Sequence, residues 1–440
     1  MTHRDLSGAR FGLGAHSTRR AFLQSSTAFV GAVSLGGAPA WGRELRRYPI
    51  ETPALTTQER MLAFPASLTP GLKKNELNQV SRYSEFGYGE WSYGSGLPLV
   101  ARTDLMPVGY QKPEKATRSR LLKFFSFSDV HITDKEAPNQ FLLLQQTEPA
   151  AFNNTSVYSP VMLYSTQVLD AAVQTVNDLH RRDPFDFGIA LGDASNSSSF
   201  NELRWYIDVI DGKPIAPSSG AHRGADSIDF QMPFQSAGLA KDVPWYQVLG
   251  NHDHFLIGSF PVDADPSHRM RQSYTADRVW AVGDVLKPDL RAFPALFDYG
   301  ALKVEPAVYP GVLDGASPYG AIIHAGRADD PAFKGEAPRI VADPDRRPLT
   351  RADYLAEFLN TATNPKGHGF NLVDSQGAED PGFACYSFAP KSDLPLKVIV
   401  LDVTQSEQDG SRDIHGHGFL DSRRWEWLKP NSPGARSPIS

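Results

Sequence analysis

Three short runs of apolar residues in this chain each end in a cluster of polar residues. Leu121–His131, LLKFFSFSDVH, is almost continuously apolar until its last residues, as is typical of a strand buried on both faces. Asp186–Leu191 and Val243–Leu249 are shorter runs of the same kind. Between the first two runs, apolar residues recur at helical spacing, at Val161, Tyr164, Val168, Ala172, Val176 and Leu179. This order predicts a right-handed strand–helix–strand unit and a parallel sheet.

The later part of the chain is far less regular. A second helix is predicted at Asn201–Ile210, and the next clear strand, Leu396–Thr404, begins roughly 140 residues after the third apolar run ends, which is far beyond an ordinary loop. One helix is predicted within this stretch, at Ala352–Asn360. Residues 255–395 are therefore predicted to form an inserted cap beside the sheet. Four histidines of the insertions are predicted to be surface or capping residues, with a substrate contact in the cap as the alternative, namely His222, His268, His324 and His368.

The first 40 residues have the composition of an export signal. Arg19 and Arg20 are followed by a weakly apolar run, Ala28–Leu35, and by Ala38–Ala40, which has the form of a cleavage site. The segment resembles a twin-arginine signal, whereas a membrane anchor would require a longer and less polar run. The sequence thus predicts a periplasmic or secreted protein that has the twin-arginine translocation machinery as a partner and no stable membrane span.

Composition narrows the class of protein further. The chain has 440 residues, of which 41% are hydrophobic, so it is large enough for a sizeable core. Residues 41–118 are rich in Pro, Gly and aromatic residues without long periodicity, which predicts an irregular N-terminal arm. Residues 1–40 carry four Arg and one Asp, so their removal would change the formal net charge from −6 to −9. Such an acidic chain argues against nucleic acid as a general partner.

The three apolar runs end in residues that bind metals. The polar clusters are Ser128–His131, Leu191–Asp193 and Gly250–Asp253. Because ligands bind outside the carboxyl ends of strands in open α/β sheets, the clusters are expected to converge on one rim. Carboxylates together with imidazoles suit Mn, Fe or Zn better than Ca. Since Cys385 is the only cysteine, a cysteine-rich zinc site and an intrachain disulfide are both excluded.

Each of these residues also has an ordinary structural interpretation. Asp129 could be a turn residue at a strand end, Asp193 could cap a following helix, and His131 could be a surface histidine. These interpretations must together account for three clusters that share the same order and the same placement. Gly192 and Gly250 precede two of the clusters, where they would let the backbone turn sharply at a metal.

The combination D-x-H, G-D and G-N-H-D, each after a buried strand, resembles the calcineurin-like metallophosphoesterase superfamily, which includes purple acid phosphatases and cyclic-nucleotide phosphodiesterases. The resemblance covers Leu121–Asp253, with a weaker echo at Leu396–Lys429. It implies an α/β fold, a four-layer αββα sandwich whose core spans residues 119–254 and 396–429. It also implies hydrolysis of phosphate mono- or diesters by a hydroxide that two metals activate.

The resemblance assigns metal ligands among these residues. It implies that Asp129 and His131 bind a first metal, that Asp193 bridges two metals, and that Asn251 binds the second. The two cofactors would be divalent or trivalent transition metals, Fe, Mn or Zn, and the substrate would be a small-molecule phosphate ester. The identity of that ester stays open.

The resemblance also assigns roles to residues beside the metals. His252 would protonate the oxygen of the leaving group, and Asp253 would hold the imidazole of His252 in place. Asn196, three residues after the second cluster, and His254, directly after the third, could contact the substrate or be ordinary loop residues.

The superfamily pattern continues with a further histidine and a G-H-x-H pair, neither of which follows here. Gly416–Lys429 looks like the lead-in to that region, with a helix predicted at Leu420–Lys429. Residues 430–440 have no strand pattern and no histidine, which predicts an aberrant tail at a truncated or frameshifted end, with missing C-terminal strands and impaired activity. The alternative is a plain disordered C-terminus. His415 and His417 could substitute for the missing pair, although they precede the helix. The alternative function is a non-catalytic, exported metal- or phosphate-binding protein.

Overall fold

A computed structural model provides the structure of most of the chain. It describes residues 45–63, 91–111, 119–140, 160–219, 229–262, 269–281, 308–314, 322–374, 377, 379–405 and 418–432. The predicted signal at 1–40, the histidines His415 and His417, and residues 433–440 of the predicted tail lie outside the described residues. The same holds for parts of the predicted arm, at 64–90 and 112–118.

The described residues form a mixed α/β structure. Its strands are β1 Arg60–Ala63, β2 Ser92–Ser95, β3 Phe124–Phe127, β4 Phe187–Ala190, β5 Pro214–Ile215, β6 Phe234–Gln235, β7 Trp245–Gln247, β8 Phe255–Leu256, β9 Phe260–Pro261, β10 Val308–Asp314, β11 Ile322–Arg327, β12 Tyr386–Phe388 and β13 Val398–Val400. Its α-helices are α1 Ser165–Arg182, α2 Phe200–Asp211, α3 Arg269–Tyr274, α4 Arg351–Glu357 and α5 Ser422–Asn431. The described residues contain no helix long and apolar enough to cross a membrane.

The central element is a three-stranded parallel sheet in the order β3–β4–β7. Phe187 and Trp245 are 3% and 2% exposed, as expected for strands covered on both faces. A Cβ on Gly188 would lie 2.1 Å from the ring of Phe125, so glycine is what allows this ring to lie across the neighbouring strand. The predicted parallel sheet is therefore confirmed.

Two helices pack against this sheet, and each of them buries one of its own faces in the contact. α1 lies where the helical spacing predicts a helix, but it buries Leu169, Val173 and Val176. Of the predicted apolar positions, Tyr164 and Val168 are 36% and 51% exposed, so the predicted buried face is wrong at these two residues. α2 follows β4 and ends at Gly212, whose φ of 76° gives the left-handed C-terminal cap that glycine favours. Buried apolar residues of α1, α2 and the strands β4, β5 and β7 belong to one core cluster.

The described strands are shorter than the apolar runs that predicted them. Leu121–His131 becomes a strand only over Phe124–Phe127, and Val243–Leu249 only over Trp245–Gln247. The reason is that the backbone leaves the extended conformation where the polar clusters begin, with φ values of 53° at Asp129 and 49° at His131. The predicted strands therefore end where the candidate site starts.

The later region supplies a second, antiparallel pair of strands, β12 and β13. It meets the parallel sheet through Phe388, whose ring stacks on Tyr246 with centroids 3.6 Å apart. α5 follows, capped by the Asp421 carboxylate, which accepts from the backbone N–H of Arg424 at 2.7 Å. This helix runs two residues past its predicted end and includes Pro430, the first residue of the predicted tail.

The predicted cap region, residues 255–395, holds several small elements within its described parts. β8 pairs with β9, and β10 pairs with β11 across an irregularity between Pro310 and Leu313. α4 lies where a helix was predicted, and its Thr350 cap accepts from the N–H of Asp353. His368 is fully buried, so its predicted place at the surface is wrong. Its ring stacks on Trp245 at 3.7 Å, and the loop 364–368 bonds to the outer edge of β7.

Candidate metal centre

The loops that follow the parallel strands lie side by side at one rim of the sheet. The N–H of His131 donates to the carbonyl of Asp193 at 2.9 Å, and the N–H of Ile132 donates to that of Ala194 at 3.0 Å. The loop after β7 joins them, because the N–H of His252 donates to Asp193 Oδ1 at 3.0 Å. The structure therefore brings all three polar clusters to one place.

Two glycines let these loops approach one another. Gly192 has φ of 103°, and a Cβ there would lie 2.8 Å from the Cα of Gly250. A Cβ on Gly250 would lie 2.1 Å from Asp193 Oδ1. Gly192 thus makes the sharp turn that the sequence predicts, whereas Gly250 serves close packing against the carboxylate.

The backbone is strained at three predicted metal ligands. Asp129, His131 and Asp193 have φ values of 53°, 49° and 53°, in the left-handed region that side chains other than glycine rarely adopt. Such residues typically cost about 1–3 kcal/mol each and concentrate at functional sites. The strain aims all three side chains at the same rim.

The side chains meet at distances suited to a shared cation. His131 Nε2 lies 3.6 Å from Asp193 Oδ2 and 3.7 Å from Asp129 Oδ1. Ligand atoms of His131, Asp193 and His252 all lie within 4.8 Å of one another. Two ligand atoms bound at ~2.1 Å to one tetrahedral cation are roughly 3.4 Å apart. This group of two imidazoles and a carboxylate could therefore hold a metal ion.

Asn196 orients both imidazole rings. Its side-chain oxygen lies 3.0 Å from His131 Nδ1, and its backbone carbonyl oxygen lies 2.8 Å from His252 Nδ1. Because a carbonyl oxygen only accepts, each Nδ1 carries a proton, so the atom of each ring that is left to bind a metal is Nε2. Asn196 is fully buried and contacts both imidazole rings, while its predicted contact with substrate stays a prediction.

Asp253 has different partners from those predicted. Its buried carboxylate accepts from the backbone N–H groups of Asp193, Ala194, Ser195 and Gly250 at 2.8–3.2 Å, and from the Tyr354 hydroxyl at 2.6 Å. Burial, followed by the charge of Asp193, raises the pKa of Asp253 to about 7, although the five donors favour the charged form. Since Asn196 occupies His252 Nδ1, Asp253 fastens the loops after β4 and β7 and does not hold the imidazole.

His252 and Asn251 are held against a third glycine. A Cβ on Gly258 would lie 2.3 Å from His252 Cδ2, and Asn251 Nδ2 donates to the Gly258 carbonyl at 2.8 Å. Burial, followed by the charge of His131, lowers the pKa of His252 to about 3, so the ring is neutral near pH 7. A neutral ring with its lone pair on Nε2 is the form that binds metals.

The remaining predicted site residues differ in exposure. Asp129 is open to solvent, with 67% of its side chain exposed, whereas His131 is 15% exposed. His254 is buried at 2% exposure with its ring 3.9 Å from that of Phe255, and its predicted contact with substrate stays a prediction. The open side of the centre is therefore the side of Asp129.

Sequence reasoning missed three supports of the centre. Tyr354 lies 101 residues after Asp253 in the chain, and no local pattern links the two. Glu202, in the first turn of α2, accepts from the N–H groups of Asn196 and Ser197 at 3.1 and 2.7 Å, which fixes the loop that carries Asn196. Gly258 lies after the G-N-H-D motif, and nothing in the sequence except the glycine itself indicated its positive φ of 71°.

Comparison of the chain with models of known protein families, with curated proteins and with solved structures found no match. The geometry of the rim is therefore the observation on which a function for this chain rests. In that geometry, ligand atoms of His131, Asp193 and His252 lie within reach of one ion. Asn196 positions the ring of His131, and Asp253 accepts from the backbone N–H of Asp193.

Proposed function

We propose that this chain is a metal-dependent phosphoesterase of the calcineurin-like metallophosphoesterase type, exported by the twin-arginine route to the periplasm or beyond. The observation that carries the proposal is the meeting of Asp129, His131, Asp193 and His252 at the carboxyl ends of three parallel strands. The motif order D-x-H, G-D and G-N-H-D supports the same assignment.

Metal binding follows from the donor set. Asp129, His131 and Asp193 would hold a first cation, and Asp193 with Asn251 would hold a second. When bound, a pair of Fe, Mn or Zn ions would polarise the phosphoryl oxygens and activate water for attack. The chain's own contribution is to fix the ligands in advance, because Asp193 Oδ1 is held by the N–H of His252 while Oδ2 faces His131.

His252 has two possible roles at this centre. Its ligand atom belongs to the group within 4.8 Å, which favours direct metal binding. The superfamily pattern instead has it donate a proton to the leaving oxygen, for which Asn196 would keep the ring oriented through Nδ1. Both roles use Nε2, and metal content in a His252→Ala variant distinguishes them.

The sheet arrangement supports an αββα sandwich. The parallel sheet carries α1 and α2, and the β12–β13 pair contacts it through stacked rings of Tyr246 and Phe388. α5 packs through Trp427 on a cluster with Phe383 and Cys385, which places a helix next to the second pair of strands.

A non-catalytic metal- or phosphate-binding protein is the second candidate. The observation in its favour is that, among the described residues, only Asp193 and Asn251 are assigned to the second cation. A protein that holds one cation could capture an anionic ligand without turning it over.

Metal analysis and turnover together test the proposal. The purified chain is expected to bind nearly two metals and to hydrolyse p-nitrophenyl phosphate or its diester. Asp193→Asn is expected to lose both metals, because it removes the shared carboxylate. One metal or none, without turnover, would favour the binding protein, and retained metal in Asp193→Asn would contradict the assignment of the bridge.

A further inference from the structure

A groove of about 590 Å³ extends from the metal centre between β3 and α1. Asp129 and His131 line one end, where the open side of the centre lies. The groove falls within the size range of small-molecule sites, and it is continuous with the candidate ligands. A molecule whose phosphate reached the metal centre would therefore place its organic part in this groove.

The walls of the groove are mostly apolar. Phe127 lies on the β3 side, and Met162, Val168, Leu169 and Ala172 lie on the side of α1. Met162 and Leu169 are 5% and 2% exposed and fix the floor, whereas Val168 is 51% exposed at the rim. An apolar ligand would remove this surface from water, which is favourable in proportion to the apolar area covered.

Charge in the groove excludes a second anionic group. Among the described residues that line it, Asp129 carries the only fixed charge, and neither lysine nor arginine is among them. A second phosphate would gain no ion pair there and would lie near a carboxylate of the same sign. Serines 126, 128 and 165 supply the polar contacts, and two of these already have partners, since Ser128 donates to Asp129 and Ser165 accepts from the N–H of Thr133.

We propose that the substrate is a phosphate ester with a bulky apolar organic group, aryl or long alkyl, that lies in the groove between β3 and α1. The inference rests on the proposed phosphoesterase function and names its substrate class. Nucleotides and sugar phosphates fit less well, because their additional charges and hydroxyl groups meet apolar walls.

The test measures binding of inorganic phosphate, 1-naphthylphosphonate and 1-naphthol to the manganese-loaded protein by calorimetry; the phosphonate replaces the ester because a phosphoesterase cannot hydrolyse its C–P bond. Naphthylphosphonate is expected to bind about tenfold or more tightly than phosphate, since even one methylene in an apolar pocket contributes about tenfold or more. Ala172→Trp, which fills the groove, is expected to remove this advantage and leave phosphate binding unchanged. Val168→Gln at the rim is expected to reduce it in part.

A matched control is Val341→Gln, which changes an apolar residue of similar exposure, 40%, that does not line the groove. It is expected to leave every affinity unchanged. Circular dichroism of each variant verifies folding, and Val168→Gln keeps the test decisive where Ala172→Trp does not fold.

The outcomes separate the two proposals. Equal affinities for phosphate and naphthylphosphonate, or an advantage that survives Val168→Gln and Ala172→Trp, would overturn the groove assignment. A change of oligomeric state in Ala172→Trp would overturn it as well, because the groove would then be an interface between copies. Failure to bind phosphate, with 1-naphthol binding that Ala172→Trp abolishes, would refute the phosphoesterase and support the apolar site.

Discussion

Two clusters of charged and polar side chains lie just beyond strand ends in this molecule, one fully buried and one partly open to solvent, and their charges are balanced differently. Beyond β13, the fully buried Asp402 forms ion pairs with Arg351 and with Arg424, the latter at 3.1 Å, and accepts from the N–H and hydroxyl of Thr404 at 2.9 and 2.7 Å. Beyond β3 and β4, the carboxylates of Asp129 and Asp193 face the acceptor nitrogen of His131.

The difference shows which cluster requires a ligand. Around Asp402 the chain supplies both the carboxylate and its cations, so the charges are compensated internally. At the candidate metal centre, the carboxylates of Asp129 and Asp193 lie 3.7 and 3.6 Å from Nε2 of His131, and these ligand types together suit a bound transition metal. Internal compensation is typical of a structural cluster, whereas the ligand atoms of His131, Asp193 and His252 form a group that could hold a metal ion.

The largest expected effect is on the internally compensated cluster. Asp402→Asn would remove the buried carboxylate that Arg351 and Arg424 share, and Arg424 would keep only its ion pair with Asp421 at 3.4 Å. The free energy of unfolding is expected to fall by about 3–5 kcal/mol. Urea denaturation measures it. Asp193→Asn in metal-free protein is the matched control, and it is expected to change stability by less than ~1 kcal/mol because the amide still accepts from His252. An equal loss of stability in Asp402→Asn and Asp193→Asn would contradict the proposed difference between the two clusters.

His368 can be compared with the histidines of the candidate metal centre, because both of its ring nitrogens have hydrogen-bond partners within the chain. Its Nδ1 lies 3.0 Å from the Trp245 carbonyl, and its Nε2 lies 3.0 Å from the Thr361 hydroxyl. Burial lowers the pKa of His368 to about 4, from 6.5 in the unfolded chain. Below pH 6.5 the unfolded state therefore binds more protons than the folded state, so this residue reduces stability progressively from pH 6.5 down to pH 4.

The size of this acid effect is about 3 kcal/mol once the pH is below 4. The measurement is the free energy of unfolding against pH for the wild type and for His368→Gln, which cannot titrate. The difference between the two curves is expected to change between pH 6.5 and 4 and to be constant above pH 7. A difference that does not vary with pH would show that His368 keeps its ordinary pKa.

A substitution of Asn196 tests whether this residue positions the imidazole of His131 for metal binding. Asn196→Ala removes the acceptor at His131 Nδ1 and keeps the backbone carbonyl at His252, so Mn²⁺ affinity is expected to fall ~10-fold, the lower end of the effect of such supporting residues. Calorimetry measures the affinity, and nitrogen NMR reports the loss of a single His131 tautomer. Asn177→Ala, which removes contacts with Gly238 and Ala240 only, is the control. Equal affinity in both variants would contradict the positioning role.

The smallest expected effect concerns the glycine against His252. Gly258→Ala introduces a Cβ 2.3 Å from His252 Cδ2 at a φ of 71°, so it is expected to lose about 1 kcal/mol or more of stability and to weaken metal binding. Gly335→Ala has the matched φ of 76° with open space around it, and so isolates the backbone cost. Thermal unfolding and Mn²⁺ titration compare the two. Identical behaviour would show that contact with His252 is unimportant.

The sequence predicts which residues lie at the rim of the sheet, but it does not predict which residues hold them in position. Asp129, His131 and Asp193 were predictable because a polar residue after a buried strand in a parallel sheet must lie at the same edge as its neighbours. The partners of Asp253 were not, because four of its five donors are backbone N–H groups and the fifth, Tyr354, comes from a distant helix. The burial of Asn196 likewise depends on Glu202 and on the loop after β3, which no spacing rule reveals.

The most direct test of the central claim is anomalous X-ray scattering from crystals of the protein grown with Mn²⁺ or Zn²⁺. The account predicts a metal peak about 2.0–2.2 Å from His131 Nε2 and from a carboxylate oxygen of Asp193, absent in Asp193→Asn crystals. Metal-soaked crystals without a peak between these side chains, or with peaks only at other residues, would contradict it.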